Sequence, residues 1–122
     1  MPDQLTAYAK GIMGETAAAQ YLTAGGMQLI DRRWRCQAGE IDLILLDGDT
    51  LVFAEVKARE RLSRIDAQYA VTPGKQRRMT ESVRWYLGAH PEHDGRMIRF
   101  DVITVAKDGV LHIPNAFEGT AW

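Results

Sequence analysis

Residues 39–58, GEIDLILLDGDTLVFAEVKA, determine the fold expected for this chain. Two largely apolar runs flank the turn sequence DGD at residues 47–49, and a glycine-containing turn between two such runs is typical of a β-hairpin. We therefore predict strands over residues 40–46 and 51–58. Most of their side chains are apolar and are expected to lie in the core of the protein.

Three charged side chains, Asp42, Glu55 and Lys57, interrupt these apolar strands. Side chains alternate between the two faces of a strand, and cross-strand partners share a face. A two-residue loop at residues 48–49 would place Asp42 directly opposite Glu55, whereas a loop at residues 47–48 would place them diagonally on the same face. Either register brings the bases of the two side chains within about 5 to 8 Å of each other. The opposite face is expected to consist of Ile41, Leu43, Val52, Ala54, Val56 and Ala58.

The remaining segments predict two helices and three further strands. Apolar residues recur at helical spacing over residues 3–24. A second helix is expected to begin at the capping pair TP of residues 72–73 and to run to about residue 87. Strands are expected at residues 27–35, 96–105 and 110–113. The predicted order is α-β-β-β-α-β-β, which is an α/β class.

Glu15, in the first predicted helix, adds a third acidic residue. It falls on the apolar stripe of that helix and should therefore face the sheet. The stripe consists of Leu5, Tyr8, Ile12, Ala19 and Leu22. A salt bridge to a basic residue is one explanation of a buried glutamate, and a functional site with Asp42 and Glu55 is the other. Clustered carboxylates repel unless a cation or a proton lies between them, and a divalent ion with oxygen ligands such as Mg²⁺ or Mn²⁺ fits this pattern.

Composition and length place limits on the class of protein. The 122 residues, 46% of them hydrophobic and 25% charged, predict a single globular domain over residues 1–122. No apolar run is long enough to span a membrane and the first residues lack a secretory pattern, so a cytoplasmic protein without membrane partners is expected. Cys36, the single cysteine, predicts no disulfide and no zinc site. Arg99 and Asp101 are expected to be a structural pair or strand-end charges.

Basic residues are concentrated between Lys57 and Arg78, where seven stand against two acidic residues, a local net charge of +5. The formal net charge of the whole chain is −1, so any attraction to nucleic acid has to be local. Residues 59–71 lack clear periodicity and are expected to form a loop. The residues expected to contact phosphate are Arg59, Arg61, Arg64, Lys75 and Arg77. Lys75 follows the inward face of its helix, so it reaches either the carboxylates or a phosphate, or it is a solvated helix-end lysine.

The motifs resemble a known superfamily. GEIDLI at residues 39–44 followed by FAEVK at residues 53–57 looks like the signature of the PD-(D/E)XK nucleases. The chain is also similar, over nearly its whole length, to the YraN-type family of small bacterial proteins related to Holliday junction resolvases. The segments that carry this second likeness are GE at 14–15, WRC at 34–36, VFAEVKAR at 52–59, VTPGKQRR at 71–78, RFDVI at 99–103 and HIPNAF at 112–117.

The resemblance implies a restriction-endonuclease-like core, a central mixed sheet flanked by helices. It implies that Asp42 and Glu55 bind Mg²⁺ with the backbone carbonyl of Val56, and that Lys57 positions or activates the attacking water. Glu15 would match the acidic residue on the first helix of the resolvase-like branch. Related sequences carry a glycine-containing stretch after the basic loop, whereas this chain has RIDA at residues 64–67. The resemblance therefore does not predict the shape of that loop or its contacts with a substrate.

Three functions are compatible with this pattern. The complete acid, acid and lysine set favours a Mg²⁺-dependent nuclease that hydrolyses DNA or RNA, including branched or repair intermediates. One alternative is a non-catalytic nucleic-acid-binding module that retains a nuclease-like site. Another is a protein-binding module whose basic loop docks on an acidic surface. The expected partner is nucleic acid, with DNA favoured over RNA; the substrate's structure and the formation of a homodimer are left open.

Overall fold

A five-stranded sheet with a helix on each face is the framework of the computed structural model, which describes residues 7–68 and 70–119. In chain order the elements are α1 (Ala7–Ala24), β1 (Gln28–Cys36), β2 (Gly39–Asp47), β3 (Thr50–Ala58), α2 (Arg64–Gln68), α3 (Pro73–Ala89), a 3₁₀ turn (Pro91–His93), β4 (Ile98–Ala106) and β5 (Gly109–Phe117). The α/β class and the order α-β-β-β-α-β-β are confirmed, with α2 as an addition. Residues 3–6 of the first predicted helix lie outside the described residues.

The strands lie in the order β1-β2-β3-β4-β5 across the sheet. Neighbours are antiparallel except β3 and β4, which are parallel and are connected through α3. A parallel pair needs such a crossover because the chain has to return to the starting end of the sheet. In the described part of the chain, no helix combines the length and apolar character needed to cross a membrane.

Each face of the sheet has its own hydrophobic core. On one face Ala18, Ala19 and Leu22 of α1 are at most 6% exposed and pack on the strands. On the other face Met79, Val83 and Tyr86 of α3 are at most 1% exposed. The helical stripe predicted for α1 is thus confirmed at Ala19 and Leu22, while the side chains of Leu5 and Tyr8 lie outside the described part of the chain.

Two boundaries differ from the prediction. Residues 59–71, expected to be a loop, contain the short helix α2, in which Ala67 is buried and contacts form with β4 and β5. The last strand, expected to end at residue 113, continues to Phe117, which pairs with Phe100. Pro114 does not end β5 because β5 is an edge strand, and a proline there removes no hydrogen bond that the sheet needs.

The face predicted for the hairpin core is wrong at Ile41. Leu43 and Ala54 pack towards α1 as a regular alternation requires, but Ile41 belongs to the core under α3. The regular β2–β3 pairing runs only from Asp47↔Thr50 to Leu43↔Ala54. Beyond it, the alternation of faces breaks at Asp42. Ala58 lies on the predicted face, towards Gly14 of α1, but it is exposed because it ends β3 at the rim of the sheet.

Asp101 of β4 organises a second polar network. Its fully buried carboxylate accepts two hydrogen bonds from Arg99, at 2.8 and 2.9 Å, and one from the backbone N–H of Asn115 at 3.0 Å. His112 Nε2 lies 2.7 Å from Asp101 Oδ2. Burial acts to raise the pKa of Asp101, yet the hydrogen bonds from His112 and Arg99 hold it below its usual value. The expected Arg99–Asp101 pair is confirmed. Asp101 also joins β4 to β5 through its contacts with His112 and Asn115.

Candidate active site

Asp42 and Glu55 meet where the regular pairing of β2 and β3 ends. The hairpin loop is Gly48-Asp49, because Asp47 pairs with Thr50, so Asp42 and Glu55 are opposite each other one step beyond the last regular pair. Asp42 Oδ2 accepts a hydrogen bond of 2.8 Å from the backbone N–H of Val56. The Asp42 carboxylate therefore accepts the hydrogen bond that a backbone carbonyl of β2 would accept if the regular pairing continued.

Two lysines approach one oxygen of Glu55. Lys57 Nζ lies 3.1 Å from Glu55 Oε1, and Lys75 Nζ lies 3.4 Å from the same oxygen. Lys75 lies in the first turn of α3. Thr72 caps this helix, because its Oγ1 accepts a hydrogen bond from the backbone N–H of Lys75. Of the alternatives for Lys75, the structure therefore places its side chain at the carboxylates.

The second oxygen of Glu55 has a different environment. The glutamate side chain is 4% exposed, and its Oε2 is buried and accepts no hydrogen bond from the described residues. A buried carboxylate oxygen without a donor is costly; a metal ion is one group that satisfies it, and a proton on Asp42 is another. The residues present therefore fit a divalent cation.

Val56 can supply a third oxygen. In a strand, the N–H and the C=O of one residue point to the same side. Since the N–H of Val56 points to Asp42, its carbonyl points to the same place, beyond the end of the β2–β3 pairing. This is the position that the sequence resemblance implies for a backbone ligand.

Glu15 of α1 reaches the same region from the other side of Asp42. Gly14, just before it, is buried, and a Cβ there would lie 3.8 Å from Ala58 Cβ, which is ordinary contact. Glu15 is itself 8% exposed. Burial raises the pKa of Glu15, and the Arg33 guanidinium opposes that shift.

Glu40 was missing from the residues predicted for the site. One carboxylate oxygen of each of Glu15, Glu40 and Asp42 lies within 4.8 Å of the others, and we call this set the three-carboxylate cluster. Alternation along β2 was a signal that could have found Glu40, because residues two apart share a face of a strand. The cluster borders the Asp42–Glu55 pair on the α1 side.

Arg33 of β1 was also missed. Its Nε lies 3.6 Å from Glu15 Oε1 and 3.8 Å from Glu40 Oε1. Its backbone φ is +52°, a left-handed conformation that is uncommon for a residue other than glycine. No local sequence pattern predicts a left-handed backbone conformation at an arginine within a strand.

Asp42 is electrostatically the most perturbed of these carboxyl groups. Burial raises the pKa of Asp42 to about 8, the neighbouring Glu55 carboxylate and a hydrogen bond between the two carboxyl groups add to the shift, and the hydrogen bond from Val56 opposes it. Without a metal ion the group therefore holds its proton near neutral pH. A divalent cation would favour the ionised form instead.

The arginines predicted to contact phosphate are exposed. Arg59 and Arg61 follow β3, and Arg64 begins α2. The guanidinium groups of Arg77 and Arg78 lie beside Gly74, with Nη2 and Nη1 at 3.7 and 3.8 Å from the position of a Cβ on that residue. Gly74 is in the first turn of α3, so these two arginines gather at a helix N-terminus, which itself favours anions.

Comparison with solved structures finds a distant likeness to SfsA of Pyrococcus furiosus, solved in complex with Ca²⁺. The two share 14% sequence identity with a TM-score of 0.33. The alignment covers 92% of this chain, and the chain spans 64% of the length of that protein.

Curated relatives are much more similar. A UPF0102 protein of Rhodopseudomonas palustris strain BisB18 is 42% identical over 98% of this chain and 87% of its own length. A UPF0102 protein of Alcanivorax borkumensis is 44% identical over 84% of this chain and 86% of its own length. The model of the family described as "Uncharacterised protein family UPF0102" matches residues 14–105, from the helix glycine before Glu15 to Val105 in β4. The YraN-type resemblance is thus confirmed, and the chain belongs to the UPF0102 family.

Proposed function

We propose that the protein is a metal-dependent nuclease that hydrolyses phosphodiester bonds in nucleic acid, with DNA favoured over RNA. The observation that carries the proposal is the pairing of half-buried Asp42 with buried Glu55 at the broken end of a hairpin, where Glu55 Oε2 accepts no hydrogen bond from the donors of the described residues. Clustered carboxylates, a lysine beside them and exposed arginines in the segments that follow are the groups that phosphodiester hydrolysis uses.

Each residue has a distinct part in this proposal. Asp42, Glu55 and the carbonyl of Val56 would hold Mg²⁺ or Mn²⁺, which when bound lowers the pKa of water and neutralises charge on the phosphate. Lys57 would position the attacking water, or offset the charge that develops on the phosphate. Glu15 lies behind Asp42 and adds negative charge on the α1 side.

A non-catalytic nucleic-acid-binding module is the second candidate, and one observation favours it. Lys57 and Lys75 both lie within 3.4 Å of Glu55 Oε1, so internal cations partly neutralise the glutamate. A panel of labelled branched and linear DNA and RNA, incubated with Mg²⁺ or Mn²⁺, separates the two. Cleavage that EDTA stops supports the nuclease, whereas retained binding without cleavage of any member supports the module.

Metal binding is the first expected result. We expect calorimetry to detect Mn²⁺ binding to the wild type, and the double variant Asp42→Asn with Glu55→Gln to lose it, because both changes remove charged oxygen ligands. The matched control is Asp66→Asn with Glu81→Gln, two carboxylates on exposed residues of α2 and α3. Unchanged binding in the site variant would place the ion elsewhere in the protein.

Salt dependence is the second expected result. Alanine at Arg59, Arg61, Arg64, Lys75 and Arg77 should weaken binding to duplex DNA regardless of its sequence. It should also reduce the slope of log K against log salt by about 0.9 for each phosphate that the variant no longer neutralises. Fluorescence anisotropy at several salt concentrations measures both. The control, Arg84→Ala with Lys107→Ala, removes exposed charges outside this segment. An unaltered affinity and slope in the five-residue variant would mean that the basic segment is only a solvated surface.

A further inference from the structure

We infer that Arg33 occupies a second cation position in the site, so that the protein binds one divalent ion, and that removing this guanidinium opens the three-carboxylate cluster to a second ion. This inference rests on the proposed function, because it assumes an ion bound at Asp42 and Glu55. It adds that the protein binds one ion and that Arg33 prevents a second ion from binding.

The three-carboxylate cluster has the geometry of a cation site. Glu15, Glu40 and Asp42 each direct one oxygen into a space where these atoms lie within 4.8 Å of one another. The side chain of Glu15 is nine-tenths buried, and its Oε1 accepts no hydrogen bond from the described residues. A buried Glu15 oxygen without a hydrogen bond, close to two further carboxylates, is stabilised only if a positive charge lies nearby.

Arg33 supplies that charge in the present structure. Its Nε faces Glu15 Oε1 at 3.6 Å and Glu40 Oε1 at 3.8 Å, which are ion-pair distances and longer than hydrogen bonds. A divalent ion bound to the same oxygens would be repelled by the guanidinium at close range. The two cations therefore exclude each other.

The backbone of Arg33 places the guanidinium there. Arg33 lies between Arg32, which pairs with Leu43, and Trp34, which pairs with Ile41, so it is level with Asp42 of the neighbouring strand. Arg32 donates to Thr16 on the α1 side, while the Trp34 ring contacts Tyr86 on the α3 side. Arg32 and Trp34 thus face opposite sides of the sheet, although residues two apart in a regular strand share a face. The left-handed φ of Arg33 lies at this irregularity, and the Arg33 guanidinium lies beside the carboxylates.

Arg35 provides a matched comparison. It also pairs with Glu40, through Nε and Oε2 at 2.7 Å, but its side chain is 67% exposed and it faces the other oxygen of that glutamate. Removing Arg35 takes away one positive charge from the same glutamate and leaves Arg33 in place. A general loss of charge near Glu40 can thus be distinguished from the opening of the cluster.

The number of bound Mn²⁺ ions tests the inference. Titration followed by electron paramagnetic resonance of free Mn²⁺ should give one ion per chain for the wild type and for Arg35→Asn, and two for Arg33→Asn. Asparagine tolerates the left-handed backbone better than most residues, and Arg33→Gly is a second variant with the same expectation. Adding Glu40→Gln to Arg33→Asn should return the number to one.

The alternative results separate this inference from the proposed function. Two ions in the wild type, or one ion in both folded Arg33 variants, would overturn the inference and leave the Asp42–Glu55 site standing. No ion in the wild type but one in Arg33→Asn would support the cluster and contradict the proposed metal site. No ion in any variant would overturn both.

Discussion

Lys57→Ala is expected to lower the rate of nucleic-acid cleavage by at least about 10²-fold, the usual effect of removing one group that stabilises transition-state charge. Binding of nucleic acid should change little, because the interaction strengthens mainly in the transition state. Single-turnover cleavage and anisotropy on the same variant measure the two quantities. Lys107→Ala, at the exposed turn between β4 and β5, is the control.

The contacts of Glu55 also predict how stable this variant is. If Lys57 served only to neutralise the carboxylates, its removal would leave a buried charge unpaired and would lower the melting temperature strongly. Lys75 remains 3.4 Å from the same oxygen, so we expect a small change in thermal unfolding. Full cleavage activity in the alanine variant would remove Lys57 from the catalytic site, and a large loss of stability with normal activity would make its role structural.

Asp42→Asn is expected to stabilise the metal-free protein at pH 8 while abolishing metal binding. The pKa of Asp42 is raised to about 8 in the folded state, so the folded protein binds a proton that the unfolded chain, with an ordinary pKa near 4, releases. Between these two values the folded state holds more protons, and its stability falls as pH rises, by up to about 1.4 kcal/mol per pH unit. Above pH 8 both states are ionised and the loss is complete.

Thermal unfolding in EDTA from pH 5 to pH 9 tests this expectation. The melting temperature of the asparagine variant should exceed that of the wild type by an amount that grows with pH up to about pH 8. Mn²⁺ should raise the melting temperature of the wild type and leave the variant unchanged, since an ion that binds only the folded state stabilises it. Asp66→Asn, at an exposed position of α2, should show neither effect. A wild type whose stability rises over this interval would contradict the raised pKa.

Some interactions of the site follow from local sequence and others do not. The sequence placed Asp42 near Glu55 because strand alternation and a glycine turn act over a few residues. The contact of Lys75 with Glu55 was one of several alternatives, since it depends on how α3 crosses the sheet. Glu40 could have been found by alternation with Asp42, but its pairing with Arg33 could not, because that pairing needs a left-handed residue in β1.

The core shows the same division. Leu43 and Ala54 lie on the predicted face, since they are the last regular pair of the hairpin. Ile41 lies on the other face because the pairing ends before it, which no alternation rule anticipates. The helix α2 was missed because its five residues are too few for a helical period to emerge, and its stability depends on contacts with β4 and β5.

Local sequence patterns alone predict the order of the elements, the central hairpin and the neighbourhood of Asp42, Glu55 and Lys57. These depend on periodicity, capping and turn chemistry, which are properties of neighbouring residues. Which cation faces which carboxylate oxygen depends on the packing of distant segments. Those contacts join α1, β1, β2, β3 and the start of α3, segments far apart in the chain. They depend on the packing of two helices on opposite faces of the sheet and on the left-handed conformation of Arg33.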